Sequence, residues 1–180
     1  MLARRFFAIA LAGALSLLGA TVVPASASSA GVLDVTCAGS QSTTYTPALT
    51  LAPQASTIAA STQYGPCVSL SQSGLTSGSR SASLSYPSRS CLDLLDSGTV
   101  TYTITWNTGQ TSTISGNSTA TVAGAAFVVT ITGTVTSGLF AGDSAVQVNT
   151  GPATDVTLCT LGLGSVSNTY LLVALELTSV

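Results

Sequence analysis

The sequence predicts an all-β fold, an antiparallel β-sandwich that is immunoglobulin-like in architecture and carries two disulfides. Short stretches of alternating apolar and polar residues are separated by clusters of Gly, Pro and Ser, a pattern typical of sandwiches and barrels. No stretch after residue 27 has a sustained 3.6-residue apolar repeat. Four cysteines follow an N-terminal leader, and this arrangement favours disulfide bonds.

The leader, residues 1–27, has the pattern of a secretory signal peptide. Arg4 and Arg5 form a basic head, an apolar stretch runs to Val23, and Ala-Ser-Ala at 25–27 is a small-residue cleavage site. We therefore expect a signal helix outside the fold, a single domain over residues 28–180, and a secreted, extracellular protein. No comparable apolar stretch follows, so no stable membrane insertion is expected after cleavage.

The exported part is acidic and lacks His and Lys. With Arg4 and Arg5 in the leader, two arginines remain beside six acidic residues, a balance of −4. Arg80 and Arg89 alone do not make the basic surface that a nucleic-acid partner needs. The missing residue types exclude Ser–His–Asp triads, histidine zinc sites and lysine Schiff bases.

Cys37, Cys67, Cys91 and Cys159 all lie in the exported part and predict two disulfides. Four cysteines allow three pairings. We favour Cys37–Cys67, which staples the N-terminal third, together with Cys91–Cys159, which ties the start of the central hairpin to the last third. Each bond closes a loop long enough to contribute about 3–4 kcal/mol in the chain-entropy model.

The stretch Val100–Ser115 contains the single Trp and predicts a β-hairpin. Its apolar residues share one side of the first strand, and its threonines share the other. A three-residue loop at 107–109 pairs Tyr102 with Ile114, which then lies on the Trp106 face. A two-residue loop would send Ile114 to the opposite face. We therefore predict a bulged turn with Gly109 left-handed, and Trp106 as a core residue.

Other elements follow from the same alternation and from turn residues. Leu92–Gly98 is the one predicted helical turn, and the Gly- and Ser-rich stretch Ser69–Ser81 is a predicted mobile loop. Gly133 interrupts an apolar row and suggests a bulge or a close contact with the indole. The remaining predicted strands are Gly31–Cys37, Thr43–Leu51 (at an edge or a strand start, because of Pro47), Gln54–Tyr64, Ala82–Tyr86, Ala125–Thr136, Ser144–Asn149 (with Val146 and Val148 as its apolar residues), Val156–Leu161 and Tyr170–Leu177.

The acidic residues do not predict a catalytic or metal site. Asp93 and Asp96 are three residues apart on one turn, whereas a glycosidase needs two carboxyls that face each other across a cleft. Single aspartates such as Asp143 and Asp155 fall short of a calcium-binding oxygen cage. We expect no catalytic residue, no cofactor and no bound metal.

Trp106, Tyr102 and Tyr45 are the candidate ligand contacts, as an aromatic platform for a sugar. Their alternation with other apolar residues is explained equally well by burial in a core. Rows of threonine at 99–105 and 130–136 offer a regular hydroxyl surface to a polysaccharide or to ice, although Thr is also a common residue of solvated strand faces.

Six short motifs are spread over the exported chain: Cys37-Ala38-Gly39, Tyr45-Thr46-Pro47, Tyr64-Gly65-Pro66-Cys67, Arg89-Ser90-Cys91, Trp106–Thr113 and Gly133–Gly142. Taken together, they resemble a family of small secreted actinomycete proteins that is uncharacterised. The resemblance covers nearly the whole exported chain and implies export and one intact domain, and it carries no catalytic residue. The chain is also loosely similar to the chromoprotein apoproteins of the same bacteria, disulfide-bonded sandwiches that hold a small molecule.

Three functional hypotheses are compatible with these features. The first is a non-enzymatic extracellular binding or cell-surface interaction module with a cell-wall or glycan partner. The second is a carrier of an apolar small molecule in a cleft, which requires a pocket of a few hundred Å³. The third, and the least favoured, is a carboxylate-dependent hydrolase.

The pairing of the cysteines is tested by peptide mapping under non-reducing conditions. We expect one linked peptide pair that contains Cys37 and Cys67 and another that contains Cys91 and Cys159. An alkylated free thiol at any of the four positions, or a crossed pair, would contradict the prediction.

Overall fold

In a computed structural model, residues 32–179 are described, and they form one closed antiparallel barrel of eight strands. Each strand pairs with its neighbours in chain order, and the last strand pairs with the first. The strands are β1 (Leu33–Leu49), β2 (Gln54–Ser69), β3 (Gly78–Arg89), β4 (Gly98–Trp106), β5 (Thr111–Ala123), β6 (Ala126–Gly138), β7 (Ser144–Pro152) and β8 (Val166–Thr178). A 3₁₀ turn (Leu92–Leu95) precedes β4, and helix α1 (Thr154–Thr160) precedes β8.

The predicted β-sandwich is therefore wrong: the all-β class and the two disulfides hold, but the sheet closes on itself. Closure is made by β1 and β8, which pair from Leu33 with Thr178 to Leu49 with Val166. Alternation in a sequence identifies one buried face for each strand, and that face is the same whether two sheets stack or one sheet curls. Closing the barrel also pairs β1 with β8, two strands that an open sheet would leave as edges.

The central hairpin has the predicted register. Tyr102 lies opposite Ile114, Gly109 has a φ of 83°, and the backbone N–H of Trp106 donates to the carbonyl of Gln110 at 2.8 Å. Trp106 is 2% exposed, so its prediction as a core residue is confirmed. Its indole Nε1 donates to Ser112 Oγ at 2.8 Å, which satisfies the one polar atom that the burial removes from water.

Several element boundaries differ from the predictions. The two strands predicted at Gly31–Cys37 and Thr43–Leu51 are replaced by one continuous strand, β1 (Leu33–Leu49), and most of the strand predicted at Val156–Leu161 is helix α1. The 3₁₀ turn confirms a helical turn after Cys91. Gly133 touches the backbone of Gly116 on the paired strand rather than the indole.

The predicted mobile loop, Ser69–Ser81, is shorter than expected and is anchored. Strand β3 already begins at Gly78, and Leu75 is 2% exposed in the core. Asn107 accepts the backbone N–H groups of Thr76 and Ser77 at 2.9 and 3.1 Å through its side-chain oxygen. The turn of the central hairpin therefore fixes the segment that covers this end of the barrel.

Side chains fill the end of the barrel beneath that segment. Trp106 packs there against Tyr64 at a ring-centroid distance of 6.4 Å and edge-on against Phe140 at 6.2 Å. Eight strands enclose an interior that side chains can just fill, and at this end they do so. The other buried members of the cluster include Val35, Leu75, Ile104, Ile114, Val135, Leu175 and Leu177.

The structure contains both predicted disulfides. Cys37 and Cys67 are directly opposite on β1 and β2, and their bond closes onto the packed end of the barrel. Cys91 is bonded to Cys159 at the other end, between the β3–β4 connection and helix α1. This is the pairing favoured from the sequence.

The predicted signal peptide, residues 1–27, lies outside the described residues, so it stays a prediction. In the described chain, residues 32–179, no helix has both the length and the hydropathy that crossing a membrane requires.

We expect Gly78→Ala to destabilise the fold. A Cβ at this position would lie 2.7 Å from Trp106 Cε3 and 2.9 Å from Ile104 Cγ2 in a closely packed core. Overpacking of this kind costs about 1–3 kcal/mol, or about 2–4 °C in melting temperature per kcal/mol for a domain of this size.

The measurement is thermal unfolding followed by Trp fluorescence. Gly74→Ala is the matched control, because a Cβ there meets nothing within 4 Å. Equal melting temperatures for the two variants would show that Gly78 is not a packing constraint.

Candidate functional site

The half of the barrel opposite the packed end contains a cavity of about 400 Å³. Its wall is made by residues near the ends of β1, β3 and β5 and near the starts of β2, β4, β6 and β8, which meet at one rim because the strands alternate in direction. The lining includes Gln41, Thr43, Tyr45, Leu49, Ile58, Arg89, Asp93, Leu94, Asp96, Thr99, Ser118, Ala120, Phe127, Val129, Thr169 and Leu171.

The Cys91–Cys159 disulfide crosses the rim of this cavity. It joins the β3–β4 connection to the β7–β8 connection, and these connections lie on opposite sides of an eight-stranded barrel. The backbone N–H of Cys91 also donates to the carbonyl of Thr50 at 2.9 Å. Leu94, on the 3₁₀ turn beside Cys91, packs against apolar clusters on both sides of the rim. The disulfide and the 3₁₀ turn together form a strap over part of the opening.

An ion pair stands at the same rim. Arg89 Nη1 lies 3.3 Å from Asp93 Oδ1, and the guanidinium stacks over the ring of Tyr86 at 4.4 Å. Asp93 Oδ2 accepts the backbone N–H and the hydroxyl of Ser90 at 2.6 and 2.8 Å. Partial desolvation acts to raise the pKa of Asp93, but the hydrogen bonds from Ser90 and Arg89 together lower it. Arg89 Nε is buried and has no acceptor among the described residues.

Tyr45 brings a phenol to the cavity wall. It is 8% exposed and packs in a cluster with Leu49 and the Cys91–Cys159 disulfide. Burial raises its pKa, and a hydrogen bond with Thr169 and the charge of Arg89 partly oppose the shift. The hydroxyl therefore remains a neutral hydrogen-bonding group at ordinary pH.

A belt of hydrogen-bonded polar side chains separates the cavity from the packed end. Gln147 is only 1% exposed, and its Oε1 accepts hydrogen bonds from the hydroxyls of Tyr64 and Tyr102, each at 2.9 Å. Its Nε2 donates a hydrogen bond to Asn149 at 2.8 Å. Gln41 Oε1 accepts from Thr62 at 3.1 Å and continues the belt toward the cavity. Buried amides and phenols persist in a core when they are paired in this way.

The barrel wall is split on one side. Strands β3 and β4 pair only at Gly78–Trp106 and Ser79–Thr105, near the packed end, and are unpaired with each other beyond that point. Arg80 stands at the head of this split, with its guanidinium 4.0 Å from the ring centroid of Tyr102. Its Nε donates to Thr62 at 3.2 Å and its Nη2 to Gln41 at 3.1 Å.

The structure separates the three aromatic residues that the sequence singled out. Tyr45 lines the cavity, Tyr102 belongs to the polar belt beneath Arg80, and Trp106 is enclosed in the packed end. A shared aromatic platform for a sugar is therefore absent from the described chain.

The aspartates lie partly as expected. Asp93 and Asp96 belong to one solvated turn, where Asp93 accepts the backbone N–H of Ser90 and Asp96 is exposed, and both also line the cavity. Asp143 is 8% exposed, and burial, followed by the nearby charge of Asp34, raises its pKa. Within residues 32–179, no group of three His, Cys, Asp or Glu side chains is placed to hold a metal ion.

Sequence reasoning missed the polar belt because it assigned the wrong face of β7 to the interior. It singled out Val146 and Val148 as the apolar residues of this strand, but Val146 is 41% exposed, and Gln147 and Asn149 are the buried side chains. The available signal was that Ala145, Gln147 and Asn149 also share one phase of the strand. Sequence reasoning used Arg80 and Arg89 only in the charge balance of the chain and assigned them no place in a site.

In comparisons with known proteins, no family model, no characterised protein and no solved structure matches this chain. The fold and the cavity are therefore the basis for inferring its function.

The buried phenols make stability sensitive to high pH. Burial raises the pKa of Tyr102 to about 12 and also raises the pKa values of Tyr64 and Tyr45, against 10.0 in an unfolded chain. The folded state therefore holds these protons more tightly. This contribution is fully present below pH 10 and is lost as pH rises toward 12, by about 2–3 kcal/mol for Tyr102.

The measurement is urea unfolding between pH 8 and pH 11, with absorbance at 295 nm to follow tyrosinate formation. Tyr102→Phe should reduce the decline above pH 10. A free energy of unfolding that stays constant over this interval would contradict the prediction.

Proposed function

We propose that this protein is a secreted, non-enzymatic binding protein that holds a small amphipathic molecule in the barrel. The observation that carries the proposal is the cavity of about 400 Å³ inside the eight-stranded barrel. Small-molecule sites occupy about 300–1,000 Å³, and eight-stranded barrels have room for one such ligand.

The chemistry of the lining supports a ligand with an apolar body and a few hydrogen-bonding groups. Phe127 and Leu171, each 3% exposed, and the neighbouring Ile58 and Val129 provide apolar surface. Tyr45 adds a neutral phenol. Pockets of this kind take most of their affinity from apolar burial and their orientation from a few polar groups.

A binding role is favoured over hydrolysis. Asp93 is held ionised by Ser90 and Arg89, so it is a poor proton donor, and carboxylate hydrolysis needs one carboxyl with a raised pKa. Asp93 and Asp96 also come from one short turn rather than from opposite walls. The carrier hypothesis therefore gains support from the cavity, and the hydrolase hypothesis does not.

Export is part of the proposal. The two disulfides fit an oxidising compartment, and the pattern of residues 1–27 fits a secretory leader. A ligand would then be captured outside the cell, and the strap bonded by Cys91 and Cys159 would hold the rim in shape.

The test is binding of N-phenyl-1-naphthylamine, a neutral apolar dye whose emission rises in apolar surroundings. We expect saturable binding by the purified protein and at least about tenfold weaker binding by Ala120→Phe, because Ala120 lines the cavity and the added ring would occupy it. Thr121→Phe adds the same ring on the exposed side of β5 and is the matched control.

Saturable binding that Ala120→Phe leaves unchanged would place the dye elsewhere and would refute the cavity as the binding site. Absence of saturable binding by the unaltered protein would refute an apolar-ligand role. Melting curves of both variants establish that they are folded before binding is compared.

A further inference from the structure

We propose a second binding site at Arg80, on the outer wall of the barrel, for the carboxylate of an acidic saccharide of the uronic acid class. It is separate from the cavity of the proposed function, whose lining does not include Arg80. The site is formed by one guanidinium and a ring of hydroxyl side chains where β3 and β4 separate.

The first observation is the state of the cation. Arg80 is half-buried, and among residues 32–179 no carboxylate lies within 4.0 Å of its guanidinium, whereas Arg89 is paired with Asp93. Its hydrogen-bonding partners are the neutral Thr62 and Gln41. The guanidinium is therefore uncompensated within the described chain, and in a protein this acidic it is available to an external anion.

The second observation is that the guanidinium is held in place before any ligand arrives. Two hydrogen bonds, at 3.1 and 3.2 Å, and the stack on Tyr102 at 4.0 Å fix its plane. These bonds use Nε and one Nη2 proton, and the other Nη protons are left for the neighbouring Tyr64 hydroxyl or for an external acceptor. A planar guanidinium binds a carboxylate through two parallel hydrogen bonds and loses little entropy when it is already fixed.

The third observation is the recess of about 370 Å³ above the guanidinium. Its walls come from outward-facing side chains of β2, β3 and β4, and the lining contains no acidic residue and no large apolar residue. Hydroxyls and an amide around one cation suit a hydroxylated anion better than a fatty acid. The lining is Ser61, Gln63, Ser79, Arg80, Ser81, Thr103 and Thr105.

The split between β3 and β4 explains how an inward residue reaches an outer recess. Side chains alternate along β3, so Ser79 and Ser81 face outward while Gly78 and Arg80 face the interior. In a continuous wall the guanidinium would be hidden behind the strands. Because β4 is no longer paired with β3 after Ser79, the guanidinium is accessible through the opening.

The experiment is an NMR titration of the purified protein at low ionic strength with three probes: methyl β-D-glucuronide, the neutral methyl β-D-glucoside, and acetate. The Arg80 side-chain Nε–H signal and the amides of Ser79, Ser81 and Thr103 are followed. We expect saturable shifts with the glucuronide, none with the glucoside, and weaker binding of acetate.

Three variants assign the interaction. Arg80→Gln should weaken glucuronide binding by at least about tenfold, since it removes the cation. Ser81→Ala combined with Thr103→Ala keeps the cation and should weaken the glucuronide by a few-fold while leaving acetate unchanged. Arg89→Gln removes the other described arginine and should have no effect on the glucuronide.

Equal shifts from the neutral glucoside, or no saturable shift from the glucuronide, would overturn the site. Acetate binding as tight as the glucuronide would overturn the saccharide assignment. The Trp106 resonances report whether Arg80→Gln is folded; if it is not, the double hydroxyl variant decides. None of these results bears on dye binding in the cavity, so the Arg80 site can be refuted while the proposed function stands, and the reverse.

Discussion

The hydrogen-bonded belt around Gln147 is the constraint on which the rest of the interior depends. One amide oxygen accepts two tyrosine hydroxyls, and the amide nitrogen donates to Asn149. Leaving any of these buried groups without a partner would cost about 1–3 kcal/mol, so the belt holds Tyr64 and Tyr102 at fixed positions. On one side of it the barrel is filled with side chains, and on the other it encloses the cavity.

The second constraint is the incomplete pairing of β3 and β4. A closed barrel normally satisfies its wall by hydrogen bonds between all neighbours, yet these strands meet only near the packed end. Because of the split, Arg80 contacts the interior and also borders the outer surface. The Cys91–Cys159 bond ties the far end of the split, at the β3–β4 connection, to the opposite side of the barrel. A local loss of strand pairing thus provides access without opening the whole fold.

Much of the local structure was predictable from residues alone. Alternation and turn chemistry predicted the hairpin at Tyr102–Ile114 in the correct register, the burial of Trp106 and a strand at Tyr170–Leu177, which lies within β8. These features depend on neighbours within a few residues or on a strong apolar pattern. The same reasoning failed on β7, because the interior at that level is polar, and an apolar pattern there points to the wrong face.

The sequence by itself determined the all-β class and the short list of arginines and aspartates that a site can use. It also favoured the disulfide pairing that the structure has. Only the tertiary structure decided that the sheet closes, that Tyr45 and Asp93 share a cavity, and that Arg80 is held by Gln41 and Thr62. The physical reason is the distance along the chain. Closure depends on β1 pairing with β8, at opposite ends of the described chain, and the period of a strand records which side chains are buried but not which strand they are buried against.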